Sequence, residues 1–128
     1  MIEVSNETVI KKEYSTEELL QACCKALDDK KAEDLKILHL GSRSTVADYF
    51  VIATGTSSPH LRALRNMVEK ALDEKGAEII GMDTDCSSGW AVLDAGDIIF
   101  HMFTERMRKL YALESLWKDA EVIVPKFD

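Results

Sequence analysis

Residues 89–104 have the sequence GWAVLDAGDIIFHMFT, and this stretch carries most of the information about the fold. It contains two apolar, β-branched and aromatic runs, 89–94 and 97–104, separated only by Ala95-Gly96. Two such runs with a two-residue connection are typical of antiparallel strands joined by a tight turn. We therefore predict a β-hairpin.

Strand alternation divides the side chains of this hairpin between two faces. The first face is uniformly apolar and is expected to be core: Ala91, Leu93, Ile98, Phe100 and Met102. The second face is mixed: Trp90, Val92, Asp94, Asp97, Ile99, His101 and Phe103. The predicted register places Asp94 opposite Asp97 and Trp90 opposite His101, and like charges directly across a strand pair are unfavourable.

Two interpretations of the mixed face are open. The last helix of the chain covers Trp90, Ile99 and Phe103 in the first, and the two aspartates flank a solvated turn. In the second, the tryptophan and the phenylalanine anchor a basic partner and the aspartates form an acidic rim, because tryptophan is enriched at interface hot spots.

Periodicity outside the hairpin predicts three helices and three further strands. The first expected helix is 16–30, and Ser15 and Glu18 form a capping box at its start. The second begins after the N-cap Ser58, with Pro59 as its first residue, and ends before Gly76. The third is 105–119. The expected strands are 35–40, 48–54, which is dense enough to be central, and 78–82. The fold class is thus α/β or α+β, a single domain with a mixed five-stranded sheet flanked by helices.

Length and composition agree with one globular domain, since the chain has 128 residues, of which 46% are hydrophobic and 30% charged. No run of 18 apolar residues and no basic or apolar leader is found, so we expect a soluble cytoplasmic protein without a membrane segment. Residues 1–14 are expected to be a loose arm. Cys23, Cys24 and Cys86 are odd in number and lack metal-ligand spacing, so reduced thiols are expected instead of disulfides or a zinc site.

The net charge of −7 is unevenly distributed, because residues 77–105 contain six acidic residues and no lysine or arginine. An acidic surface repels a phosphate backbone, which disfavours a direct nucleic-acid site there. The same distribution favours a basic protein partner.

An enzymatic alternative is also open. Gly41-Ser42 followed by Asp48 resembles the elements with which nucleotidyltransferases hold magnesium, but Phe50 stands where a second carboxylate is needed. The turn at 55–58 precedes a helix and suits a phosphate, although helix capping alone explains its serine.

Several ordered blocks of the sequence, which together span roughly residues 16–121, resemble the ribosomal silencing factor (Iojap-like) family. These blocks are DYFVIATGTSS at 48–58, Gly89-Trp90, LDAGD at 93–97, His101-Met102-Phe103, ERMR at 105–108 and YALESLWKDA at 111–120. The resemblance delimits a domain at 15–121 and a C-terminal tail at 122–128.

The resemblance implies a nucleotidyltransferase-like fold, a homodimer, and neither catalytic activity nor a cofactor. It further implies binding to the large ribosomal subunit at its protein L-fourteen, which hinders joining of the small subunit and lowers translation when nutrients are scarce; organelle members assist assembly of the large subunit. The matching blocks nominate a partner-facing set: Trp90, Asp94, Asp97, His101, Phe103, Arg108 and Tyr111. Ala95 departs from the family, many of whose members carry an aromatic or bulkier residue there.

Overall fold

The computed structural model describes residues 14–41, 44–83 and 85–127. The elements of this part of the chain are α1 Thr16–Asp29, β1 Glu33–His39, β2 Tyr49–Gly55, α2 Ser58–Glu74, β3 Gly81–Met82, β4 Trp90–Asp94, β5 Ile98–Thr104, α3 Glu105–Tyr111, α4 Leu113–Leu116 and β6 Glu121–Ile123. All but the last residue of the predicted arm 1–14 lies outside the described residues.

The strands form one mixed sheet in the order β3-β4-β5-β2-β1-β6. Strand β2 pairs in parallel with β5 and antiparallel with β1, and every one of its residues is buried, which confirms its central place. The predicted strand number was wrong, because the sheet has six strands. The sixth, β6, pairs antiparallel with β1, and three residues are too few for alternation to be visible in the sequence.

The sheet has a hydrophobic core on each face. Helices α1 and α2 cover the first core, whose residues include Leu19, Cys23, Leu27, Leu61, Leu64, Val68, Val51, Leu93, Phe100 and Met102. The apolar face predicted for the hairpin belongs entirely to this core and is fully buried. The second core lies on the opposite face and includes Leu38, Leu40, Phe50, Ile52, Ile99 and Phe103, against which Met107, Leu113 and Trp117 pack.

Both long helices begin at a serine cap. The predicted capping box is present, since the Ser15 hydroxyl accepts from the Glu18 N–H at 3.1 Å and Oε1 of Glu18 accepts from the Ser15 N–H at 2.8 Å. In α2 the N-cap is Ser57 instead of the predicted Ser58, and its hydroxyl accepts from the His60 N–H. Pro59 therefore occupies the second helical position, where its missing N–H is equally harmless.

The predicted hairpin register was wrong by two residues. Trp90 pairs with Phe103 and Asp94 pairs with Ile99, and the turn is closed by the Ala95 N–H, which donates to the Ile98 carbonyl at 2.9 Å. The two-residue loop is thus 96–97, where Gly96 adopts the positive φ that a tight turn requires. An even shift leaves every side chain on its predicted face but separates the two aspartates across the strands.

The predicted helix 105–119 was also wrong, because it breaks at Ala112. This residue adopts a left-handed conformation with φ of 47°, and the chain continues as the short helix α4. The break turns Glu114 back towards Arg108. Nη2 of Arg108 donates to Oε2 of Glu114 at 2.9 Å. Residues six apart in an unbroken helix lie on different faces and do not meet in this way. Strand β3 covers only two of the five residues predicted for it.

Candidate functional site

Three aromatic rings from β4, β5 and α3 meet at the start of the hairpin. Trp90 lies across the strand pair from Phe103, with ring centroids 5.0 Å apart. Tyr111, at the end of α3, places its ring 4.5 Å from that of Trp90 and 6.3 Å from that of Phe103. Two strands and a helix therefore hold one continuous aromatic cluster, which we define as Trp90, His101, Phe103 and Tyr111.

Gly89 allows α3 to approach the hairpin. Its φ is +87°, and a Cβ atom added there would lie 2.7 Å from Cγ of Met107 and 3.0 Å from Oγ1 of Thr104. Its carbonyl accepts from the Thr104 N–H at 2.9 Å, which fixes the beginning of α3 beside the beginning of β4. Gly89 thus allows the close approach of α3, and the next residue, Trp90, is the one that Tyr111 of α3 contacts.

His101 is the buried polar member of the cluster, with 7% of its surface exposed. Nδ1 accepts from the indole N–H of Trp90 at 3.2 Å. Its ring meets that of Phe50 at 4.6 Å and an angle of 63°. Burial lowers the pKa of His101 to about 4, because desolvation penalises the charged imidazolium.

Exposure separates the nominated residues into two groups. Phe103 is 1% exposed and lies under the C-terminal helices, as the first interpretation of the mixed face expected for it. Trp90 is only half-buried, and Tyr111 is 43% exposed. Near Tyr111 in sequence, Leu110 and Leu116 are 65% and 72% exposed.

Asp94 and Asp97 lie at the far end of the hairpin. Asp94 lies four residue steps from Trp90, a distance of about 13 Å along the strand. Oδ1 of Asp94 accepts from the Gly96 N–H at 2.8 Å and so stabilises the turn. Asp97 is exposed, and its Oδ2 accepts from the Thr16 hydroxyl at 3.4 Å. The two carboxylates therefore mark the turn and do not surround the aromatic cluster.

Arg108 is buried beneath α3 and uses its guanidinium within the protein. Nη1 donates to the Asp34 carbonyl at 2.6 Å and to the Thr54 hydroxyl at 2.8 Å, while Nη2 donates to Glu114 at 2.9 Å. These bonds tie the two C-terminal helices to β1 and β2. The arginine that the resemblance nominated for the surface is thus 7% exposed, and its described contacts are internal.

The residues of the enzymatic alternative do not converge. Asp48 is exposed, Phe50 is buried in the second core, and Ser42 lies outside the described residues. At the α2 turn, the Thr56 N–H is already occupied by Nδ1 of His60 at 2.9 Å. Within residues 14–41, 44–83 and 85–127, no three His, Cys, Asp or Glu side chains are grouped in a way that holds a metal ion.

The cysteines are free and buried, as expected for reduced thiols. Burial raises the pKa of both Cys23 and Cys24 to about 12, which leaves almost none of the nucleophilic thiolate near neutral pH. None of the helices in the described ranges is both long and apolar enough to span a bilayer.

Comparison with known proteins places this architecture in a family. A family model described as "Ribosomal silencing factor during starvation" matches residues 13–128. The chain belongs to the ribosomal silencing factor family. It is 37% identical over 109 residues to a ribosomal silencing factor of Halalkalibacterium halodurans, which covers 85% of this chain and 93% of that protein.

Two other relatives extend the comparison. A crystal structure of a protein from Chromobacterium violaceum superimposes with a TM-score of 0.79 and 30% identity, over 89% of this chain and 92% of the other. The mouse protein named for mitochondrial assembly of the ribosomal large subunit is 30% identical over 97 residues, which make up 71% of this chain and 41% of that protein. The expected fold class and the expected family are both confirmed.

Proposed function

We propose that this protein silences translation by docking on the large ribosomal subunit through a patch centred on Trp90 and Tyr111. The observation that supports this most directly is that half-buried Trp90 and exposed Tyr111 are held together by a strand and a helix, with ring centroids 4.5 Å apart and exposed Leu110 next to Tyr111 in sequence. Aromatic side chains that are held by a rigid scaffold at low entropic cost are the usual anchors of protein interfaces. The names of the relatives indicate that the partner is the ribosome.

The partner that we propose is protein L-fourteen of the large subunit, which the resemblance implies. The aromatic pair would supply the anchor, and the acidic stretch 77–105 would steer the approach to a basic surface, because complementary charge accelerates association. A bound protein of this size would then occlude the face that the small subunit must reach. In this mechanism the protein breaks no covalent bond and needs no cofactor.

The nominated residues take different parts in this proposal. Trp90 and Tyr111 are the proposed contacts, whereas Phe103 and Arg108 support the strand and the helix that present them. Asp94 and Asp97, some 13 Å away along the hairpin, contribute charge at the edge of the interface.

Co-sedimentation with purified large and small subunits tests the proposal. Wild-type protein is expected to pellet with the large subunit only. Tyr111→Ala and Trp90→Ala are each expected to weaken binding, the latter by about thirtyfold or more, which corresponds to about 2 kcal/mol for an anchor residue.

Val124→Ala is the matched control, because it truncates an apolar side chain that is 59% exposed and lies beyond β6. Circular dichroism melting of each variant separates lost contact from lost fold. Large-subunit binding that survives unchanged in both folded aromatic variants contradicts this patch, and wild-type protein that pellets with neither subunit contradicts the function.

We further propose a homodimer, which the family resemblance implies, and a cytoplasmic location, which the sequence predicts. Sedimentation equilibrium is expected to give twice the 14.4 kDa of one chain. A monomer at micromolar concentration would contradict the dimer without affecting the docking proposal.

A further inference from the structure

The hydrogen bond between Trp90 and His101 fixes the chemistry of both side chains. An indole N–H is a donor only, so Nδ1 of His101, 3.2 Å away, must act as the acceptor. The imidazole is therefore neutral and carries its proton on Nε2. Nε2 itself is buried and has no hydrogen-bond partner among the described residues.

Burial of a histidine at this position is energetically unfavourable. It lies against Phe50 and Phe103 with 7% of its surface exposed, in surroundings where leucine or phenylalanine would pack without leaving an unpaired N–H. Within the part of the chain that the structure describes, Trp90 supplies the one hydrogen bond to its side chain. What the histidine provides that an apolar residue does not is an acceptor for the indole.

We propose that His101 is a positioning residue for docking, which holds the Trp90 indole with its N–H turned into the protein so that the partner meets only its apolar ring surface. The inference rests on the proposed function. It deepens that function by stating the chemistry of the partner: the surface that covers Trp90 supplies aliphatic or cationic groups that pack on the ring, and no hydrogen-bond acceptor for it. His101 itself does not touch the partner.

Loss of the acceptor is expected to release the indole. An unpaired N–H in a half-buried site is unfavourable, so the ring would rotate until the N–H reaches water, and the rotated ring no longer presents the same surface. His101→Leu removes the acceptor. His101→Asn has nearly the same size as the leucine variant and offers an amide oxygen close to the position of Nδ1.

The experiment compares these two variants in large-subunit binding and in the NMR signal of the Trp90 indole N–H, assigned with Trp117→Phe. His101→Leu is expected to weaken binding about fivefold, the value of one hydrogen bond, and to shift the indole signal towards that of a solvated indole. His101→Asn is expected to restore most of both. Equal binding by the leucine and asparagine variants overturns the inference.

A double-mutant cycle with Trp90→Phe excludes a general loss of structure. Phenylalanine keeps an aromatic ring but has no N–H, so His101→Leu should have no further effect on binding in that background. Effects that multiply overturn the positioning role, because His101 then acts independently of the indole. If Trp90→Ala and Trp90→Phe both bind like wild type, the docking patch fails and the inference fails with it; if they weaken binding while His101→Leu does not, only the inference fails.

Discussion

Acidification is expected to destabilise this protein through His101. The group has a pKa of about 4 in the folded protein against a usual value of 6.5, because burial disfavours its charged form. Between those two pH values the unfolded chain binds a proton that the folded chain does not, so the free energy of unfolding falls as the pH falls below 6.5 and the loss is complete below about 4. At about 1.4 kcal/mol for each pH unit, the full loss is about 3 kcal/mol, of which about 2 kcal/mol falls between pH 7 and pH 5.

Urea unfolding at pH 7 and pH 5 measures this loss. The control is His101→Asn, which has no titrating group at the site but keeps all the carboxylates of the wild type. The free energy of unfolding of the wild type should therefore drop by about 2 kcal/mol more than that of the variant over this interval. Equal losses in the two proteins would refute the assignment of a buried neutral imidazole.

Three further predictions follow from contacts elsewhere in the structure. Arg108→Met should lower the free energy of unfolding by about 3 kcal/mol, because it leaves buried acceptors unpaired, whereas exposed Arg106→Met should change it by less than about 0.5 kcal/mol in the same urea titration. Gly89→Ala should lower the melting temperature more than Gly76→Ala, since both glycines have positive φ but only the first is crowded; equal shifts would contradict the close approach of α3. Large-subunit binding should weaken as salt is raised from 50 to 300 mM, because salt screens the acidic stretch 77–105. Binding that does not change with salt would contradict a role for charge in docking.

The sequence predicts the sheet face on which a side chain lies more reliably than the residue that it pairs with across the strands. Alternation assigns Trp90 and Phe103 to one side of the hairpin whatever the register, because a shift by two residues does not change the side on which a residue lies. The position of the turn, in contrast, depends on which pair of residues closes the loop around Gly96. A loop written as Ala95-Gly96 and one written as 96–97 both place a glycine in the turn, and the hydrogen bond from Ala95 to Ile98 decides between them.

The division of the last helix was beyond what residue patterns reveal. A left-handed residue is usually glycine or asparagine, and an alanine at position 112 gives no signal of that kind. Across this break the Glu114 carboxylate accepts from Nη2 of the buried Arg108 at 2.9 Å. Leu110 and Leu116, on either side of the break, are exposed, so the part of the candidate site that adjoins Tyr111 depends on a helix break that residue patterns do not indicate.

The two strands that flank the central strand β2 are synthesised at different times. Strand β1 precedes β2 and can pair with it early in synthesis, whereas the parallel partner β5 is made only after α2 and the rest of the hairpin. Trp90 and Tyr111 belong to that late portion, so α1 and α2 are synthesised well before the residues of the proposed docking patch. The docking patch that we propose is therefore absent from an incomplete chain, because Trp90 and Tyr111 come together only once β4, β5 and α3 have all been made.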